Sequence, residues 1–193
     1  MKRPVFFLFC GLTASGKSFL ARRYAKAAAL PYLDYDTMVQ PMLRTIEERE
    51  GIGNSRAAFY RKWRKPCYDG FWDTCEEVLS CGSSLVASAP CGEEIVQTDF
   101  FSKLKVHAGV NFRAVSIYLA PESSFHLSTM KMRNAIWNED IIPDWKNYRK
   151  NHSPHIPVWD ADINLFLEYG SFEQLDRLFR DKMNENGLET FDL

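Results

Sequence analysis

The 193 residues are enough for one domain with a substantial core, and 46% apolar with 25% charged residues is an ordinary globular balance. A formal net charge of -1 offers no electrostatic footprint for duplex nucleic acid or an anionic membrane. Five cysteines without a C-x-x-C pair suggest neither a disulfide framework nor a zinc site; they read as reduced, mostly buried thiols of a cytoplasmic protein.

Met1-Lys2-Arg3 and the apolar run after it imitate a secretory signal, but the run is short, lacks a small-residue cleavage site and ends in a glycine loop. No other stretch approaches the roughly 18 apolar residues of a membrane helix. A β-like segment, Val5–Cys10, leads into Gly11-Leu-Thr-Ala-Ser-Gly-Lys-Ser18, a complete G-x-x-x-x-G-K-[ST] phosphate loop, and a helical pattern, Gly16–Ala29, follows. Gly11 and Gly16 permit backbone angles and close approach that a side chain blocks. Amides from Ala14 to Ser18 can then point at phosphates, aided by the helix N-terminus. Lys17 is expected to reach the β- and γ-phosphates and the Ser18 hydroxyl to bind Mg²⁺. ATP and Mg²⁺ are thus the expected cofactors, with Gly11, Ala14, Ser15, Gly16, Lys17, Ser18 and Phe19 around the nucleotide.

The second β-like segment, Tyr32–Asp34, ends in Asp34-Tyr35-Asp36, seventeen residues after Lys17. Alternation in an extended segment places both carboxylates on one side. Phosphoryl transfer needs a group for the metal and one for the attacking hydroxyl. Asp34 is assigned to the metal side, and Asp36 to binding the acceptor and accepting its proton. The competing reading makes them turn and capping residues, with Asp36 at the N-cap of the next helix. Helical patterns follow at Thr37–Glu50 and Arg56–Ser80. Arg44, Arg56, Tyr60 and Arg61 are candidate acceptor contacts, because arginine clamps carboxylates and phosphates bidentately. Trp63, Tyr68, Phe71 and Trp72 could wall a ring substrate, although core packing is the commoner use. The basic clusters 61–65 and 146–150 read as solvated helix faces.

The third β-like segment, Ser84–Ala89, has no terminal aspartate. Ser88 and Cys91 near its end are expected to face the crevice, Ser88 as an acceptor contact. Cys91 has no partner that would make it a nucleophile. Helical Glu93–His107, β-like Ala114–Leu119, helical Glu122–Ala135, β-like Ile163–Leu167 and helical Phe172–Asn184 complete the chain. His152 and His155 sit among prolines and read as surface residues of a loop. Alternating strands and helices argue for an α/β fold with a parallel sheet covered on both faces, its ligand beyond the carboxyl ends of the strands.

The phosphate loop, short first helix and Asp34-x-Asp36 resemble shikimate kinases. Gluconate kinases and other small P-loop phosphotransferases of the nucleoside-monophosphate-kinase-like group are close variants. In shikimate kinases the first aspartate serves Mg²⁺ and the second the acceptor hydroxyls, positions that match Asp34 and Asp36. Val86-Ala-Ser-Ala-Pro90 is similar to the strand-three ending of gluconate kinases. The stretch from Arg56-Ala-Ala-Phe-Tyr60 to Gly82 is similar to zeta-toxin-like ATP-dependent kinases. The resemblance implies a three-layer P-loop NTPase fold with a five-stranded parallel sheet, and one kinase domain over 1–193. It also implies a lid at approximately 131–157 that closes over the phosphates and excludes water. Arg133 is the lid arginine it suggests, with Lys131 a second candidate; Trp137, Asn138 and Glu139 stand where another arginine is expected. Gly170-Ser171 would lie near the adenine.

The resulting expectation is an ATP-dependent kinase phosphorylating a hydroxyl of a small-molecule acceptor, with Lys17, Asp36 and Arg133 catalytic. Its partner is that acceptor rather than nucleic acid or a membrane, and the chain is a monomer or weak dimer. A nucleotide or nucleoside kinase is one alternative. A nucleotide-binding regulatory or toxin-like module with little turnover is another.

Overall fold

The computed structural model describes residues 3–53, 55–133 and 141–189. Strands β1 (Val5–Gly11), β2 (Tyr32–Asp34), β3 (Leu85–Ala89), β4 (Arg113–Pro121) and β5 (Ile163–Tyr169) form one sheet in the order β2-β3-β1-β4-β5. Every pairing is parallel, so each connection must cross a face of the sheet. Helices α1 (Lys17–Ala27), α2 (Tyr35–Glu50), α3 (Arg56–Ser80), α4 (Phe100–Ala108), α5 (Ser123–Arg133), α6 (Trp145–Asn151) and α7 (Phe172–Glu185) supply the covering layers and the segments above the sheet. This is the expected three-layer α/β fold.

The β1 sequence explains the layering. Phe6, Leu8 and Cys10 point to one face and pack with Tyr68, Phe71, Cys75 and Leu79 of α3 and with Phe100, Phe101 and Leu104 of α4. Phe7 and Phe9 point to the other, with Leu20 and Tyr24 of α1 and Leu175, Phe179 and Met183 of α7. A strand buried on both sides can be apolar throughout, which is why this segment shows no polar alternation. A third cluster, Val39, Leu43, Phe59 and Cys67, joins α2 to α3 away from the sheet.

Two expectations change, and a third falls partly outside the described residues. The helix foreseen over Glu93–His107 is two pieces, a 3-10 turn at Glu94–Val96 and then α4. Asp160 caps α4 from outside, accepting from the Phe101 and Ser102 amides at 2.8 and 2.9 Å. Asp34 and Asp36 do not share one extended segment: β2 stops at Asp34 and α2 starts at Tyr35, so alternation does not relate them. Residues 134–140 of the foreseen lid, with Trp137, Asn138 and Glu139, lie outside the described residues, and α6 occupies part of the span from 141 to 157. Among the described residues no helix is long and apolar enough to cross a membrane.

Candidate active site

The phosphate loop leaves β1 at the centre of the sheet, where the chain turns toward β2 and β3 on one side and β4 and β5 on the other. That switch point is where parallel sheets open a crevice. Gly11 has φ 140°, and a Cβ there would lie 2.5 Å from the Leu119 carbonyl oxygen of β4. Gly16, the N-cap of α1, has φ 78°. Ala14 between them also adopts positive φ, at 58°.

What holds this conformation is a row of side chains on the carbonyl side of the loop. His126 Nε2 lies 2.6 Å from the Thr13 oxygen. Thr129 Oγ1 shares its one proton between the Ala14 oxygen at 3.1 Å and the His126 oxygen of its own helix at 2.8 Å. The Tyr169 hydroxyl donates to the Ser15 oxygen. Three successive carbonyls are thus engaged from α5 and β5, while among the loop amides that of Ser15 donates to the Leu12 oxygen at 3.1 Å. The first amides of α1 have no acceptor within their own helix and are available to an anion. Ser15 Oγ, inside the loop, is buried with no hydrogen-bond partner among the described residues.

His126 is wholly buried, and its other ring nitrogen faces the Arg149 guanidinium at 3.1 Å. Arg149 can only donate, so Nδ1 accepts and Nε2 carries the proton given to Thr13. Burial disfavours the imidazolium more than the Thr13 carbonyl favours it, and Arg149 and Lys17 oppose it further, holding the pKa near 4. Sequence reading missed His126, Thr129, Tyr169 and Arg149. The signal was positional: they follow β4 or end β5, on the far side of the loop from the aspartates.

Lys17 is 5% exposed, and its ammonium has a carbonyl contact, Leu12 O at 3.5 Å. Burial lowers its pKa, while Asp36 and Asp34 pull the other way. A buried cation so thinly solvated is a strong attractor for phosphate.

Asp34 caps α2, accepting from the Thr37 amide at 2.9 Å and the Thr37 hydroxyl at 3.0 Å. Its other oxygen accepts from Ser88 at 2.6 Å and Tyr32 at 3.0 Å. Burial alone would raise its pKa, but donors from Ser88, Ser18, Thr37 and Tyr32 outweigh that and hold it at about 2. The N-cap is therefore Asp34, not Asp36. Ser88 is 1% exposed and also lies 3.4 Å from Ser18 Oγ. It is a buried link between Asp34 and the loop serine rather than part of an open wall, and Cys91 is equally buried. Residue 88 of β3 pairs in register with Asp34 of β2, so the neighbouring strand supplies the carboxylate that β3 lacks.

Among the described residues no group of three His, Cys, Asp or Glu side chains could hold a metal ion. The donor set present, the Ser18 hydroxyl linked through Ser88 to an ionised Asp34, suits Mg²⁺, which keeps most of its shell as water and phosphate oxygen.

Asp36 is in the first turn of α2, and one carboxylate oxygen lies 3.9 Å from Arg133 of α5. Three hollows meet here. The smallest, about 330 Å³, lies over Gly16, Lys17 and Ser18, with Phe19 at its edge. A charged lobe of about 890 Å³ extends past Asp34 and Asp36 to Arg22, Arg44, Arg56 and Tyr60. An aromatic lobe of about 590 Å³ runs from Thr13 to Tyr60, Arg61, Trp63 and Tyr68. Arg133 lines all three, and Asp36 lines both lobes. Arg56 is paired with Glu47 at 3.2 Å, and Phe71 and Trp72 belong to the core or its edge.

A family model described as the AAA domain matches residues 6–135, from β1 through the phosphate loop into α5. The chain belongs to this AAA domain family. No curated protein matches the sequence. Among solved structures, a sugar kinase from Janibacter sp. HTCC2649 is 12% identical with TM-score 0.61, covering 96% of this chain and 95% of that one. A shikimate kinase from Acinetobacter baumannii, in complex with shikimate, is 15% identical with TM-score 0.52, covering 96% and 94%. A gluconokinase from Sinorhizobium meliloti 1021 is 16% identical with TM-score 0.51, covering 96% and 97%. The P-loop, kinase-like fold is thus shared along almost the whole chain of this AAA domain protein.

Proposed function

We propose that this AAA domain protein transfers the γ-phosphoryl group of ATP to a hydroxyl of a small molecule. The observation that carries this reading is the junction of the three hollows. A carboxylate, Asp36, and a guanidinium, Arg133, stand where the phosphate hollow meets the lobes, within electrostatic reach of Lys17. The likeness to sugar, gluconate and shikimate kinases supports the same class of acceptor, although fold alone carries no substrate.

In this reading the loop amides and Lys17 hold the β- and γ-phosphates. Arg133 offsets charge on the phosphoryl group in flight. Asp36 orients the acceptor hydroxyl and takes its proton as the oxygen bonds to phosphorus and the bond to the ADP oxygen breaks. Mg²⁺, when bound, would neutralise phosphate charge, with Ser18 as its protein ligand and Asp34 holding Ser18 and water in place. The test is incubation with ATP, Mg²⁺ and a panel of hydroxylated metabolites, followed by mass analysis for a phosphorylated product. ATP binding with neither acceptor phosphorylation nor turnover would refute the kinase reading and favour a regulatory module.

A further inference from the structure

The two lobes differ in chemistry, and the difference bears on the acceptor. The aromatic lobe reaches both the first turn of the phosphate loop, at Thr13, and the loop after β3, at Pro90 and Gly92. An acceptor lying there faces the γ-phosphoryl position with Asp36 at its side. The charged lobe also touches the phosphate loop, at Ser18 beside Asp34, and from there runs outward along α1 and α2 past Arg22 and Glu48.

The cation best placed to clamp an anionic acceptor in the aromatic lobe is already committed. Arg64 gives one nitrogen to Glu94, at 2.8 and 3.0 Å, and another to Glu93 at 3.1 Å. Its guanidinium plane lies 4.2 Å from the Tyr68 ring centroid. Both ends and one face of this guanidinium are occupied, so it has no fork to offer a ligand carboxylate. Arg61 is exposed at the rim, and Arg133 is engaged by the phosphoryl group in the proposed reaction. Of the other polar lining, Asp36 and Glu93 repel an anion and Gln40 and His152 complete it; the rest, among the described residues, is largely an apolar wall. Tyr35 stacks on Tyr68 with centroids 4.3 Å apart, and Trp63, Leu43 and Cys67 continue it.

From this we infer that the acceptor is an uncharged alcohol carrying a flat ring, the ring lying against the Tyr35 and Trp63 side of the lobe and the hydroxyl at Asp36. The inference rests on the kinase reading for its chemistry: the hydroxyl oxygen gains the phosphoryl group, its proton passes through Asp36 to water, and ADP leaves. At about 590 Å³ the lobe has the size of an ordinary small-molecule site.

The test separates the two claims. Adenosine and phenyl β-glucoside serve as neutral ring-bearing alcohols, glucose as a neutral alcohol without a flat ring, and gluconate and shikimate as anionic alcohols. Binding is read as a thermal shift of the ADP-loaded protein, and transfer as product mass with ATP and Mg²⁺. The expected result is a thermal shift and a kcat/KM about tenfold higher for the ring-bearing alcohols than for the others. Trp63→Leu should raise the KM for the ring-bearing alcohols about fivefold or more while leaving the KM for ATP unchanged. Tyr35→Leu is the second variant, should the first fold poorly. Preference for gluconate or shikimate, with Arg44→Ala more damaging than Trp63→Leu, overturns the inference and leaves the kinase reading standing. Binding of ring-bearing alcohols with no transfer to any acceptor supports the lobe chemistry and overturns the kinase reading. No binding by either ring-bearing probe overturns the inference outright.

Discussion

The tether between His126 and the phosphate loop makes two predictions at once. In His126→Asn the side chain is too short to reach the Thr13 oxygen but keeps an acceptor near the position of Nδ1. In His126→Gln the amide nitrogen stands close to the position of Nε2 and can keep the 2.6 Å contact. A buried carbonyl left without its donor costs about 1–3 kcal/mol. If that loss falls on the conformation that binds nucleotide, it corresponds to about 5- to 150-fold in affinity. Titration with a fluorescent ADP analogue at pH 7.5 should therefore weaken markedly for Asn and stay within about threefold for Gln. Equal behaviour of the two variants would refute the claim that this hydrogen bond shapes the loop.

The same residue sets a pH dependence whose sign is fixed by burial. The unfolded chain protonates this imidazole near its ordinary 6.5, whereas the folded one resists down to about 4, with Arg149 and Tyr148 of α6 and Lys17 of α1 around it. Between those values the unfolded state holds the extra proton, so this contribution to stability is complete above pH 6.5 and lost as pH falls toward 4. The gap corresponds to about 3 kcal/mol when fully expressed. Denaturant unfolding from pH 7.5 to 4 should show the difference between wild type and His126→Gln shifting toward the variant by that order. A difference that stays flat over the range would show that His126 titrates freely in the folded protein.

Asp36→Asn should reduce transfer about 10²- to 10⁴-fold with ADP affinity nearly unchanged, as steady-state kinetics and titration can check. Lys17→Met removes a buried ammonium with a 3.5 Å carbonyl contact, so the nucleotide-free protein should melt higher while stabilisation by ATP disappears in thermal scans. Gly11→Ala places a methyl 2.5 Å from the Leu119 oxygen at a φ of 140°, and should cost about 2 kcal/mol or more in denaturant unfolding.

The parallel sheet, the two-faced core and the phosphate loop were legible in the sequence, because each is written in neighbouring residues. The apolar runs at Phe6–Cys10 and Leu85–Ala89 are what a sheet buried on both sides requires. The loop needs its glycines, lysine and serine within one short stretch. Asp34 and Asp36 were legible as a pair, but their relation was misread, because a strand that ends at Asp34 hands Asp36 to a helix. Ser88 was expected in the open crevice, and only the β2–β3 register shows it beneath Asp34. The loop tethers were not legible, since His126, Thr129 and Tyr169 reach carbonyls 113, 115 and 154 residues away. A lone histidine or tyrosine at such separation carries no local pattern.

This division follows from the topology. With β1 between β3 and β4, the phosphate loop has two flanks. The β2–β3 flank brings Asp34 and Ser88 against Ser18, charge and hydroxyls where a metal and an acceptor would meet. The β4–β5 flank brings His126, Thr129 and Tyr169 against the loop carbonyls, and it is backbone that these three hold there. Lys17, Ser18 and Asp34, which face the ligand side, must be particular residue types and lie at short spacing in and after the motif, so they leave a signature. Groups that hold backbone need only one donor at the right point in space, which several residue types could supply from any element that passes there. The flank proposed to meet metal and acceptor is therefore readable in the chain. The flank that holds the loop in its binding shape emerges once β4 and β5 are laid beside β1.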